Sequence, residues 1–327
     1  MKKKILVTGG TGFIGSALVK SLVNSGEKVR VLDNQSRGLG GRLKDVKGKF
    51  EMINGDVTDS EIVLKACKGI NQVIHLAYIN GTEFFYTKPE LVLEVAVKGI
   101  INVLDGCLTH NVAEFFLASS SEVYQTPHII PTPETVPMII PDVLNPRYSY
   151  GGGKIISELM TINYGRKFFK RAIIFRPHNV YGPDMGWEHV IPQFILRMRQ
   201  IIKEEKKEII EFPIQGSGKE TRSFIYIDDF IKGLKLLIDK GKHLGLYHIG
   251  TTEEISIKDL AEEIGQCFGR KIKIVPGKLA EGSSLRRCPD ISKIKGLGFK
   301  PKIGLNEGLQ PTIEWYNTKV HLQSRYE

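Results

Sequence analysis

The stretch TGGTGFIG, Thr8 to Gly15, decides the fold. It follows the apolar run KKILV and opens the amphipathic run FIGSALVKSLVNSG. A buried strand is therefore expected to turn tightly into a helix that ends near Gly26. Glycines at 9, 12 and 15 give the spacing G-x-x-G-x-x-G. In that context the glycines let the backbone approach a pyrophosphate, held at the helix N-terminus. Gly9, Gly12, Phe13, Ile14 and Gly15 are accordingly the first candidate cofactor-binding residues.

The same rhythm continues outward. KVRVLDN, FEMINGD, NQVIHLA, AEFFLASS and RAIIFRP read as further short buried strands, with helical runs such as PELVLEVAVKGIINVLDGCLTH between them. Alternating strands and helices predict an α/β fold with a doubly wound parallel sheet of the Rossmann kind. After Val180 the pattern is more mixed. Helices are expected over WEHVIPQFILRMRQIIKEEKK, DDFIKGLKLLIDKG and SIKDLAEEIGQCFG, strands over LYHIG and KIKIVPG, and a last helix, LNEGLQPTIEWYNTK, interrupted near Pro311. The charged run 203–208 reads as a solvated helix end.

Asp33 ends the second strand, where a carboxylate can accept hydrogen bonds from an adenosine ribose diol and repel a 2′-phosphate. This favours NAD over NADP, with Asn34 and Ser36 beside it and Arg37 as a counter-indication. Asp56 and Val57 follow the third strand, where an adenine amino group could be read; Asp56 or Asp59 could instead cap the next helix. Leu76, Ala77 and Pro177 lie at other strand ends, which border the ligand crevice in such sheets.

Composition bounds the alternatives. The chain has 327 residues, 41% hydrophobic and 25% charged, with net charge +10. No apolar stretch is long enough for a membrane span. The basic residues are scattered, with no RNP-like motif or zinc finger, so nucleic acid is not an expected partner. Four isolated cysteines suit a reducing, cytoplasmic setting and offer no metal site.

The chemistry is carried by LASSSEVYQ and NPRYSYGGGK. Tyr150 and Lys154 are four apart and share one helix face. An ammonium beside the phenol, with a nicotinamide cation near, is expected to stabilise tyrosinate and lower its pKa. Tyr150 can then take a hydroxyl proton as hydride leaves the carbon, with a serine such as Ser120 holding the same oxygen. Asn145 and Pro146 suit a helix start. Gly151, Gly152 and Gly153 each cost a helix roughly 1 kcal/mol. Either they admit close approach by substrate, cofactor or a partner helix, which a change at Gly152 would probe, or the packing around them compensates.

Together TGGTGFIG, LDN, GDVTD, VIHLA, SSSEVY, YSYGGGK, RPHNVYGP, RSFIYIDD and RRCPD resemble the extended short-chain dehydrogenase/reductase family of NAD-dependent nucleotide-sugar epimerases and dehydratases. The resemblance implies a Rossmann domain over 1–178 plus about 226–252. A smaller mixed nucleotide-sugar-binding domain would cover 179–225 plus 253–327. It implies Tyr150 as base, Lys154 as its partner and ribose ligand, and Ser120 as hydroxyl partner. Asn179, Arg222 and Arg287 would contact the sugar-nucleotide diphosphate. Tyr78 stands where a small alanine is usual, Ala96 where asparagine is common, and Gln125 where glycine is common. All three are expected to reshape the pocket.

Family members begin by oxidising a sugar hydroxyl, commonly at C4. Glu122 occupies the position where family dehydratases and UDP-glucuronate decarboxylases carry glutamate, which implies chemistry near C5. Ser121, in place of an aspartate, argues against the standard 4,6-dehydratase. The alternatives are a 4-epimerase and, more remotely, a non-catalytic NAD sensor. A homodimer through the helices at 88–110 and 146–166 is also implied.

Overall fold

A computed structural model describes residues 3–37, 40–204, 207–279 and 282–325. Seven parallel strands form the central sheet: β1 (Lys4–Thr8), β2 (Lys28–Asp33), β3 (Glu51–Asn54), β4 (Gln72–His75), β5 (Glu114–Ala118), β6 (Arg171–Pro177) and β7 (Gly245–Ile249). Their order is β3-β2-β1-β4-β5-β6-β7. The order reverses at β1, which pairs with β2 on one side and β4 on the other. That reversal opens a crevice at the carboxyl ends of β1 and β4.

The strands are apolar on both sides because both faces are covered. Along β1, Val7 packs into one core with Leu18, Phe175 and Leu234. Its neighbour Leu6 packs into the other with Val63, Val103 and Phe115. The first core is closed by α1 (Phe13–Asn24) and by the helix Ile227–Lys240. The second is closed by α2 (Ser60–Cys67), α3 (Pro89–Thr109) and α4 (Ser149–Phe168). Asp59, not Asp56, caps α2: its carboxylate accepts from Glu61 N at 3.0 Å and Ile62 N at 3.1 Å. Asn145 starts α4 as expected, accepting from Arg147 N at 3.0 Å, and a single turn at Pro146–Tyr148 leads into the helix.

The remaining chain builds small sheets beside the crevice. Thr221–Ser223 lies between Glu254–Ser256 and Arg286–Arg287. Ile209–Ile214 pairs in parallel with Lys271–Pro276; it alternates exposed and buried residues and was not expected as a strand. The helix Val190–Glu204 ends inside the charged run, whose residues 205 and 206 lie outside the described residues. The last helix corrects the expected interruption: Leu305–Lys319 is continuous through Pro311. Pro311 faces solvent in the second turn while Leu309, Ile313 and Tyr316 are buried, so packing holds the helix across the missing N–H. Among the described residues, no helix is long and apolar enough to cross a membrane.

Candidate active site

The crevice is a cavity of about 550 Å³ that runs from the glycine turn to the start of α4. At one end, Gly9 has φ +70°, and a Cβ there would meet Ala77 N at 2.7 Å. A Cβ on Gly15 would overlap the Gly9 carbonyl. The turn is thus closed to side chains. The N-terminus of α1 has no side-chain cap and no acidic residue in its first turn. Uncapped N–H groups at a helix start, facing a cleft, fit a pyrophosphate.

Asp33 is pinned on the floor beside this turn. Its carboxylate accepts from Thr11 N at 2.8 Å and Gln35 N at 2.7 Å. Asn34 donates to Asp56 at 2.5 Å. Burial alone would raise the Asp56 pKa, but hydrogen bonds from Thr58 and Asn34 outweigh it and hold the carboxyl below its ordinary range. Arg37 donates to Glu188 at 3.1 Å and lies over the Phe84 ring, so its charge is committed to the rim. Ser36, Val57, Leu76, Ala77 and Pro177 line the same cavity. An adenine dinucleotide fits this donor set.

At the other end stand the catalytic candidates. β5 ends at Ala118, and the next residues turn back over the crevice. Ser119 donates to the buried carboxylate of Glu158. Ser120 accepts from Glu122 N at 3.1 Å and stands close enough to the Tyr150 phenol to act on its titration. Tyr150 is buried against the Phe85 ring, with centroids 4.8 Å apart. Lys154 is buried on the next turn and donates to Ala118 O at 2.8 Å.

The expected lowering of the Tyr150 pKa included a nicotinamide cation, and the protein's own groups do not produce it. The Tyr150 pKa is raised, not lowered: burial dominates, while the Ser120 hydrogen bond opposes it. Burial also depresses Lys154 to about 7, against the pull of Glu158. The Lys154 ammonium lies 5.8 Å from the Tyr150 ring centroid, turned toward Ala118 and Tyr78. The protein alone therefore keeps the phenol neutral.

Glu122 meets Arg287 at 2.6 Å. Burial would raise the carboxyl pKa, but Arg287, Arg147 and Arg222 together hold it below the ordinary range. Glu122 is thus an ionised carboxylate at the cavity wall. Arg287 lines the cavity but faces Glu122, not an open phosphate site. Asn179 also lines it, its amide donating to Ser223 O at 2.9 Å. Arg222 is the predicted residue the structure does not bring to the wall. Its guanidinium is tied to Ser284 O at 2.6 Å and Thr221 O at 2.8 Å, and it acts on Glu122 through charge.

The three departures from the family pattern explain the glycines. A Cβ on Gly153 would overlap the Tyr78 hydroxyl and approach Ala96 Cβ to 2.6 Å. One on Gly151 would approach Gln125 Nε2 to 2.6 Å. One on Gly152 would meet only Ile140, at an ordinary 3.5 Å. Crowding therefore belongs to positions 151 and 153, and Gly152 is not the position that tests it.

Sequence reasoning missed the buried pair Glu158–Arg176, joined at 2.6 and 2.8 Å beneath Ser119. Its signal was present, since Glu158 lies four residues after Lys154 on the same face. It also missed Arg147 and Phe85, which no local pattern marks.

The model of the NAD dependent epimerase/dehydratase family matches residues 5–250. UDP-glucuronic acid decarboxylase 6 of Arabidopsis thaliana is 34% identical over 317 residues, 95% of this chain and 88% of that protein. A putative UDP-glucose 4-epimerase of Methanocaldococcus jannaschii is 31% identical over 316 residues, 95% of this chain and 97% of that protein. Among solved structures, the dTDP-glucose 4,6-dehydratase of Streptomyces venezuelae, with NAD bound, superposes with TM-score 0.87 at 25% identity, covering 99% of this chain and 100% of the other.

Proposed function

The chain belongs to the NAD dependent epimerase/dehydratase family, and from that premise we propose that it decarboxylates a UDP-hexuronate through a C4 ketone. The observation that carries this reading is the ionised Glu122–Arg287 pair beside Ser120 and Tyr150. A 4-epimerase needs only the serine, tyrosine and lysine, and leaves this pair without a task. The relatives named as UDP-glucuronic acid decarboxylases support the same choice.

Bound NAD would accept the C4 hydride and later return it. Gly12 and the start of α1 would hold its pyrophosphate, Asp33 its adenosine ribose, and Lys154 the ribose nearer the reaction. Tyr150, as the tyrosinate that Lys154 and the cofactor's cation would favour once NAD is bound, takes the proton of the C4 hydroxyl, and Ser120 holds the oxygen. The resulting ketone makes the C6 carboxylate a β-keto acid. The C5–C6 bond then breaks, CO₂ leaves, and the electron pair is held as the C4 enolate by the Tyr150 and Ser120 hydroxyls. C5 takes up one proton from water, which the ionised Glu122 orients. Arg287 presents a fixed positive charge to the substrate carboxylate.

Residues 179–225 and 253–327 are assigned to the sugar-nucleotide side, with Asn179 and Arg287 its candidate contacts. A homodimer through α3 and α4 is supported by Leu93, Ile101, Ile156 and Leu159, which stay exposed on those helices. Free thiols at Cys67, Cys107, Cys267 and Cys288 support a reducing compartment such as the cytoplasm. The test is incubation with UDP-, GDP-, CDP- and dTDP-sugars. Loss of the mass of CO₂ from a UDP-hexuronate supports the reading, and turnover of neutral sugars alone refutes it.

A further inference from the structure

Tyr78 follows β4 and turns its side chain into the crevice, against α4. Its ring face lies 3.6 Å from the Lys154 ammonium. Its ring also meets that of Tyr150 edge-on, with centroids 5.1 Å apart and planes at 82°. Its hydroxyl donates to the Tyr150 backbone carbonyl at 3.3 Å. Three contacts from one side chain thus reach both members of the Tyr150–Lys154 pair. The space it occupies exists because Gly153 has no side chain and Ala96 has a short one.

The physical argument concerns Lys154. A buried ammonium is disfavoured unless its donors find partners. Lys154 has one carbonyl, Ala118 O, and beyond it the face of Tyr78. An aromatic face stabilises a desolvated cation through its quadrupole, most strongly at short range. The other titratable groups near the pair do not replace this. Glu158 pulls on Lys154 through charge but gives its hydrogen bonds to Arg176 and Ser119, His75 is kept neutral by burial, and Glu122 faces Arg287.

We propose that Tyr78 is a positioning residue for the Tyr150–Lys154 pair: its ring face favours the Lys154 ammonium against the cost of burial, and its ring, perpendicular to that of Tyr150 on which Phe85 stacks, fixes the Tyr150 ring. The hydroxyl of Tyr78 is secondary, because the contacts that matter come from the ring. This inference rests on reading Tyr150 and Lys154 as the pair that oxidises the sugar.

The experiment uses the full chain saturated with NAD. Tyrosinate absorbance is titrated against pH in the enzyme and in its Tyr150→Phe counterpart, and the difference isolates Tyr150. Three changes are compared at position 78: Tyr78→Phe, Tyr78→Leu, and incorporation of pentafluorophenylalanine, which keeps the shape and removes the negative ring face. NAD affinity is measured in parallel by calorimetry. Tyr78→Phe is expected to match the parent. The leucine and fluorinated variants are expected to raise the Tyr150 midpoint by about one pH unit and to weaken NAD binding several-fold. If the fluorinated ring behaves like Tyr78→Phe, the proposal is overturned, and this arm holds even if the leucine variant fails to fold. Retained turnover in Tyr150→Phe alone would instead overturn the functional reading and leave these titrations standing.

Discussion

The Glu122 carboxylate accepts a hydrogen bond from the Arg287 guanidinium at 2.6 Å, joining residues 165 positions apart across the crevice. Glu122 is brought there by the turn after β5, and Arg287 by the short strand that pairs with Thr221–Ser223. This pair separates the proposed chemistry into two stages. Ser120, Tyr150 and Lys154 serve the oxidation of C4, whose hydride bound NAD would take, and Glu122 with Arg287 acts beyond it. Glu122→Gln is therefore expected to cut product formation about 100-fold or more while substrate still reduces the bound cofactor. Rapid-mixing absorbance of the reduced nicotinamide, read beside product mass, checks this. Equal loss of both stages would remove Glu122 from the second one.

The glycines make a sharper set. Gly152→Ala is expected to keep full activity and to stabilise the helix by up to about 1 kcal/mol, since its Cβ has room and alanine is the better helix former. Gly153→Ala would drive a methyl group into Tyr78 and Ala96. It is expected to destabilise the protein by about 1–3 kcal/mol and to impair turnover. Thermal melts of the two variants should move in opposite directions.

Lys154 gives stability a pH signature. Its pKa falls from 10.5 in the unfolded chain to about 7 when buried. Between those values the unfolded state binds more protons than the folded one. Stability from this group therefore rises with pH across that window. Lys154→Met should flatten the rise. Urea unfolding from neutral pH to about 9 measures it, and an unchanged slope in the variant would show that Lys154 is not the source.

Beneath the site, Arg176 and Glu158 form an ion pair with both side chains almost fully buried. Arg176→Met would strand the Glu158 carboxylate and is expected to cost about 3–5 kcal/mol. Replacing both, as Arg176→Met with Glu158→Leu, should recover much of that loss. Denaturant unfolding of the single and double variants forms the comparison, with recovery in the double as the expected sign.

Much of this was legible in the chain before folding, for local reasons. TGGTGFIG between an apolar run and an amphipathic one leaves little choice but a strand, a turn and a helix. The Tyr150–Lys154 spacing places both side chains on one face. What was not legible depends on partners distant in sequence. Ile209–Ile214 becomes a strand because Lys271–Pro276 pairs with it. Arg222 and Arg287 stand in similar motifs, yet Arg222 is tied to the Ser284 carbonyl and Arg287 to Glu122. The raised pKa of Tyr150 reflects burial by Phe85 and Tyr78, which no spacing within YSYGGGK encodes. The division of labour among the three glycines likewise needed Tyr78, Ala96 and Gln125 in place around them.

In the proposed reaction a C4 ketone forms and CO₂ is then lost. Its most direct test is incubation of the NAD-loaded enzyme with UDP-glucuronate in D₂O, with product masses read by mass spectrometry. The expected product is a UDP-pentose lighter by CO₂ and carrying one deuterium at C5. A UDP-hexuronate that keeps its carboxylate and is changed only in configuration at C4 would contradict it.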